Sequence, residues 1–327
     1  MIRRTNPFID IYKSCNMGDN DEKYAKIKTE RKMPVCIDVE LTNYCNLSCF
    51  MCPVGTKTMK RENGYMSMKT VERICAELYG GGADIQGIRL IRWGEPTLHP
   101  QFIDIIKKFK DTGKKVHFNT NGILLTQEQM KKIVEYGIDS IKFSFQGVNR
   151  HTYEEMRYGS SWDKIMGNVR MFYDIRGVKE APYISISTTT TYEADEQIEL
   201  FKKEMEPYCD SCSVGRTKLS HLEVEKMGLS EESKREFLQL LQKETLEKVH
   251  LHSCPEVFSK LSINWDGTVT ACMQDYDNFM IIGNIWNNTL TEIFHCEQME
   301  KIRESILLER YDEMEPCKNC FEYIKLT

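Results

Sequence analysis

The chain has no apolar run that approaches the length a membrane span requires. Its opening, MIRRTNPFIDIYKSCNMGDN, is basic but lacks the apolar core of a signal peptide, and it makes no working twin-arginine signal. Lysine and arginine, 44 together, are mixed with 49 acids rather than gathered into a stripe. The net charge of −5 therefore offers no basic surface for nucleic acid. Internal repeats and low-complexity linkers are missing as well. These absences leave the expectation of a cytoplasmic enzyme with no nucleic-acid or membrane partner. Hydrophobic residues at 41% and charged residues at 28% suffice for a sizeable core. A length of 327 residues suits one large domain, alone or with a small second one.

Cysteine is abundant, with 13 residues. In a cytosolic chain these are expected as metal ligands or catalytic groups rather than disulfides. Cys45, Cys49 and Cys52 fall in one run, ELTNYCNLSCFMCPVG, at the spacing C-x3-C-x2-C. No fourth cysteine or histidine lies close by. A structural zinc site and an ordinary cubane both take four protein ligands. Either the fourth ligand is remote or one coordination position is open. Cys254, Cys272, Cys317 and Cys320 form a second group in the last quarter, and the other six are scattered.

Short β-rich runs occur at 35–42, 87–93, 114–121, 140–145, 183–191 and 212–217. Between them, stretches such as QFIDIIKKFKDTG and TQEQMKKIVEYG carry apolar residues at helical spacing and stop on glycine. This alternation predicts an α/β fold with a mainly parallel sheet, either a partial barrel or a doubly wound sheet. In both, the site lies at the carboxyl ends of the strands, where the three-cysteine run falls. Residues 1–34 read as a polar, partly ordered arm, 35–220 as the core and 221–250 as one long linking helix. Residues 251–327 read as a small α+β domain built around cysteines, with a hairpin at Asp266-Gly267 and a final helix.

The cysteine spacing and the motifs that follow it resemble the radical S-adenosylmethionine (SAM) superfamily from Val35 to about Thr217. The resemblance implies a partial (β/α)6 TIM-like barrel. It also implies a [4Fe–4S] cluster on Cys45, Cys49 and Cys52, with an open iron chelated by SAM and an external donor such as flavodoxin or ferredoxin. Iron–sulfur potentials reach about −700 mV, low enough for the cluster, once reduced, to cleave SAM by electron transfer and yield a 5′-deoxyadenosyl radical. RWGEP supplies Gly94, Glu95 and Pro96 where the family has a GGEP-like turn, with Trp93 replacing a glycine. NTNG supplies Asn119, and FSFQG supplies Ser144 with Gln146 in place of a common aspartate. Arg157 resembles an arginine that pairs with the SAM carboxylate, and Met51 stands where an aromatic residue often packs near adenine.

Cys254-x17-Cys272-x44-Cys317-x2-Cys320 resembles the SPASM/Twitch extension of the same superfamily, in a form similar to the butirosin-pathway aminocyclitol dehydrogenases. That likeness implies one closed auxiliary [4Fe–4S] cluster. Spacing alone equally permits a four-cysteine zinc site. Three reactions compete. The first is oxidation of a small polar, carbohydrate-like alcohol with electron transfer to the auxiliary cluster, using Arg216, His117 or His221 as base. The second is epimerisation with Cys212 or Cys209 as hydrogen donor. The third is modification of a ribosomal peptide. A plain two-cluster electron carrier would not need the GEP and TNG motifs.

Overall fold

The computed structural model describes residues 4–15, 20–30, 33–80, 84–191, 193–217, 219, 224, 230–243, 246–248, 254–318, 320 and 324–326. Six strands alternate with helices: β1 (Cys36–Val39), β2 (Gly87–Leu90), β3 (Lys115–Thr120), β4 (Ser140–Ser144), β5 (Tyr183–Thr190) and β6 (Ser211–Arg216). They run parallel in sequence order, the arrangement of a partial barrel. Leu90, Phe118, Ile141 and Ile184 form one row across the sheet and belong to the apolar core. The next row inward is polar: Asp38, Arg89, His117 and Ser140 are in register. Because side chains alternate faces along a strand, this pattern puts oil under the helices and polar groups inside the barrel.

Two helices, α1 (Ile9–Cys15) and α2 (Asn20–Thr29), precede the barrel. Those that cover it are α3 (Met68–Gly80), α4 (Phe102–Asp111), α5 (Gln127–Glu135), α6 (Arg150–Met156), α7 (Trp162–Arg176) and α8 (Asp195–Met205). In α4, Phe102, Ile105, Ile106 and Phe109 are buried at the spacing of one helical face. Thr126 and Gln129 close a capping box on α5. The predicted stops, Gly113 and Gly137, take positive φ of 76° and 63°.

Residues 7–15, expected as part of an arm, pack on the barrel. Phe8, Ile11 and Cys15 are buried against Val35 and Cys36. Gly87 leaves them room, since a Cβ there would lie 2.8 Å from Phe8 and 2.9 Å from Ile11. Lys115 Nζ donates to Pro7 O at 2.7 Å. The segment thus closes the amino-terminal end of the barrel, and three apolar side chains in a polar stretch were too faint a signal to show it.

His117 packs its ring on Phe8 with centroids 5.5 Å apart. Its Nε2 donates to Asn119 Oδ1 at 2.9 Å, so Nδ1 accepts from Ser140 Oγ at 3.0 Å. Burial, then the Lys142 charge, pushes its pKa down to about 3. The unfolded chain takes a proton below about pH 6.5 that the folded chain refuses, so stability falls as pH drops. Anaerobic denaturation between pH 6.5 and 5 should show a contribution of about 1.4 kcal/mol per pH unit that His117→Gln removes. An unchanged slope would contradict this.

The linking helix is shorter than expected. α9 spans Glu231–Lys243, and Leu246–Lys248 instead pairs antiparallel with Ile324–Leu326. After α10 (Pro255–Ser259), β7 (Lys260–Ile263) pairs parallel with β1, and β8 (Thr268–Thr270) and β9 (Ile281–Asn284) follow antiparallel. The hairpin expected at Asp266-Gly267 is present, with Gly267 at φ +88°. The cysteine-bearing segment therefore extends the barrel sheet to nine strands among the described residues. The final helix is two, α11 (Leu290–Phe294) and α12 (Glu297–Leu307), divided where Cys296 Sγ accepts from Met299 N.

Candidate functional site

The loop after β1 is pinned by backbone bonds. Ser48–Cys49 pairs antiparallel with Arg157–Tyr158, and Phe50 N donates to Met156 O at 2.9 Å. Cys52 N donates to Cys49 O at 3.2 Å and Thr56 N to Cys52 O at 2.9 Å. Gly55 folds back so tightly that a Cβ would lie 2.5 Å from Cys49 N.

The turn after β2 locks onto this loop. Gly94 has φ +86°, and a Cβ there would lie 2.7 Å from both Asn43 Cα and Tyr44 O and would also strike Thr42 O. Glu95 N donates to Tyr44 O at 2.8 Å. The buried Glu95 carboxylate accepts from Thr97 N, Thr97 Oγ1, Thr120 Oγ1 and Asn121 N at 2.6–3.2 Å. Burial pushes its pKa up and these donors oppose the shift. Asn121 Nδ2 in turn donates to Asn46 Oδ1 at 2.8 Å. The cysteine loop, the GEP turn and the TNG turn are one hydrogen-bonded unit.

A cavity of about 520 Å³ opens at the carboxyl ends of the strands. Cys45, Cys49, Cys52 and Met51 form one wall, and Gly94, Glu95 and Pro96 another. Asn119, Ser144, Arg157 and Arg216 also line it. Gln146 does not: its amide is spent on Thr189 O at 3.0 Å, Thr217 Oγ1 at 2.5 Å and Thr189 Oγ1 at 2.8 Å. It ties β4 to β5 and to the end of β6, while Thr189 and Thr217 reach the cavity. Cys212 lies apart from the cavity, its thiol pushed up to about 11 by burial and eased by Lys202 on α8. Cys209 is also apart, bonded to Met205 O at 3.4 Å. His221 is outside the described residues. Sequence reasoning gave no role to Arg92 or Thr189, which also line the cavity; the Ser/Thr alternation of β5, YISISTTT, was the available signal for the latter.

The thiols at the loop are poorly suited to stand alone. Burial pushes Cys45 up to about 12 and Cys52 up to about 11, and neighbouring thiols add to both. Sharing a cationic cluster is what turns such thiols into thiolates. Beside them, Arg157 Nε is buried without a partner, a donor left over for an anion. The set fits a three-thiolate cluster with an anionic ligand next to it. The second group converges too. Burial raises the Cys272 pKa, and the charges of Glu256, Cys254, Cys320 and Cys317 raise it further. Among the described residues no three His, Cys, Asp or Glu side chains close around a single ion. Four thiols whose charges reach one another are a donor set that fits an iron–sulfur cluster.

The family model of the radical SAM superfamily matches residues 39–205, and that of the SPASM iron–sulfur cluster-binding domain matches residues 254–321. The tungsten-containing aldehyde ferredoxin oxidoreductase cofactor-modifying protein of Pyrococcus furiosus is 35% identical over 108 residues, 32% of this chain and 29% of its own length. The chain spans 29–42% of the length of the first curated relatives it matches. BtrN in complex with AdoMet and 2-DOIA shares the fold with a TM-score of 0.57 at 18% identity, over 88% of this chain and 93% of that one. SuiB of Streptococcus suis bound to S-adenosylmethionine shares it with a TM-score of 0.65 at 16% identity, over 86% and 71%. The chain belongs to the radical SAM superfamily, whose SAM and [4Fe–4S] cofactors it uses, and it carries a SPASM-type iron–sulfur domain.

Proposed function

We propose that the enzyme oxidises a small polar alcohol, such as an aminocyclitol, sugar or nucleotide sugar, and that Cys254, Cys272, Cys317 and Cys320 hold one closed, Twitch-like auxiliary cluster. The observation that carries this reading is the link between the two centres: Arg92, in the wall of the cavity, donates to the carbonyls of Cys272 and Asp275 at 3.0 and 2.9 Å. When bound, the SAM-ligated cluster supplies a radical that accepts a hydrogen atom, and the closed cluster supplies an acceptor for an electron. The substrate gives up its carbinol hydrogen atom, its hydroxyl proton and that electron, and a ketone remains. Ser144, Thr189 and Thr217 offer hydroxyls to a polyol, and Arg216 offers a cation that orients its oxygens. Arg157 holds the SAM carboxylate through its unpaired Nε. BtrN, similar in length, is seen with AdoMet and 2-DOIA together, which supports a small substrate. A flavodoxin- or ferredoxin-like protein supplies the first electron. Among the described residues no helix is long and apolar enough to cross a membrane.

A peptide substrate is the competing reading, favoured by the likeness to SuiB bound to its precursor peptide SuiA. Epimerisation has less support, because among the described residues the cavity-lining cysteines are Cys45, Cys49 and Cys52 alone. Anaerobic turnover in deuterated water with reductant, SAM and a panel of polyols and amino sugars tests the proposal. The expected product is two hydrogens lighter than its substrate, with the carbinol hydrogen recovered in 5′-deoxyadenosine. An unoxidised product carrying solvent deuterium, or turnover of peptides alone, would overturn it.

A further inference from the structure

Three cations with buried side chains each have their own carboxylate. Arg89 pairs with Asp38 at 2.6 Å, Arg61 with Glu40, and Lys260 with Glu256. Arg92 is different. It is 9% exposed, and among the described residues it forms no ion pair. Both its Nη atoms go to neutral carbonyls, those of Cys272 and Asp275. Its Nε is buried without a partner. The Asp275 carboxylate makes its hydrogen bonds elsewhere, accepting from Thr270 Oγ1, Phe279 N and Met280 N at 2.5–2.9 Å. A buried guanidinium with no carboxylate in direct contact is costly. The carboxylates of Glu40, Asp275 and Asp38 act on it only through space, and the Arg61 charge opposes them.

The loop it grips begins with a cluster ligand. A cubane with four thiolates is negative in both redox states, and more so when reduced. Such a group balances an unpaired cation, and a fixed cation favours its reduced form. We propose that Arg92 is the counter-charge of the auxiliary cluster and sets its reduction potential high enough to take an electron from the substrate side. It acts as a positioning and tuning residue, through the Cys272–Asp275 turn rather than by contact with the reacting atoms. The role in turnover rests on the alcohol-oxidation reading; the effect on the potential does not.

The test is therefore made without substrate. In the Cys45→Ala/Cys49→Ala/Cys52→Ala protein only the auxiliary cluster remains to be titrated. Arg92→Gln should lower its midpoint by at least a tenfold change in the reduction equilibrium, about 59 mV for one electron. Arg92→Lys, which keeps the charge and loses the fork, should stay within about threefold, roughly 30 mV on the same scale. A midpoint unmoved by Arg92→Gln, or moved equally by both substitutions, would overturn the proposal. Should Arg92→Gln lose the auxiliary irons, retention of them by Arg92→Lys supports the counter-charge role, and equal loss contradicts it. A shifted midpoint in an enzyme that oxidises no alcohol would sink the functional reading and leave this one standing.

Discussion

Alanine at Cys49 should abolish 5′-deoxyadenosine formation from SAM by the reduced protein, with or without substrate. Cys49 is 8% exposed and is held by the short antiparallel pairing of its strand with Arg157. It is also the point where the loop turns back through Cys52 N and Gly55. Loss of one of three thiolates leaves two, too few for a cubane that already has an open position. The auxiliary cluster should survive, so roughly half of the iron of a two-cubane protein should remain. Continued SAM cleavage at the wild-type rate would contradict the assignment of the site.

Gly94→Ala should be nearly as damaging without touching any ligand. The φ of +86° is strained for a residue with a Cβ, at about 1–2 kcal/mol. The added methyl also meets three backbone atoms, of Thr42, Asn43 and Tyr44, none of which can rotate away. Overpacking against rigid neighbours adds about 1–3 kcal/mol, for a total near 3 kcal/mol or more. The strain falls on the bond from Glu95 N to Tyr44 O and so on the cysteine loop itself. A displacement on the order of 1 Å in a reacting geometry costs about 100-fold in rate. Denaturant midpoints and the rate of SAM cleavage should both drop. Retention of both within experimental error would mean that the turn does not position the loop.

The three-cysteine site was legible because its ligands lie within eight residues of one another, on one loop after one strand. Local spacing survives folding. The roles of individual polar residues were less legible, because they depend on which way a side chain turns. The Glu95 carboxylate faces its own turn and Thr120, and the Gln146 amide spans three strands. Cys212 shows how much position along a strand matters. It packs with Val214 against the apolar core, while Gly215 lines the cavity. Gly215, Arg216 and Thr217, at the carboxyl end of β6, all line the cavity, and Cys212 lies further back along the strand. The pairing of β7 with β1 could not be read at all, since it joins Lys260 to Cys36 across more than two hundred residues. No local periodicity encodes that contact.

The central claim is that the second cysteine group receives an electron from the substrate. The measurement that tests it is the ratio of oxidised product to 5′-deoxyadenosine in the Cys317→Ala/Cys320→Ala protein. Iron content and circular dichroism verify that the barrel and its first cluster are intact. The intact enzyme should form the two products in equal amounts. The variant should still release 5′-deoxyadenosine but form no ketone, because the substrate radical has lost its electron acceptor. Equal amounts of both products from the variant would contradict the claim.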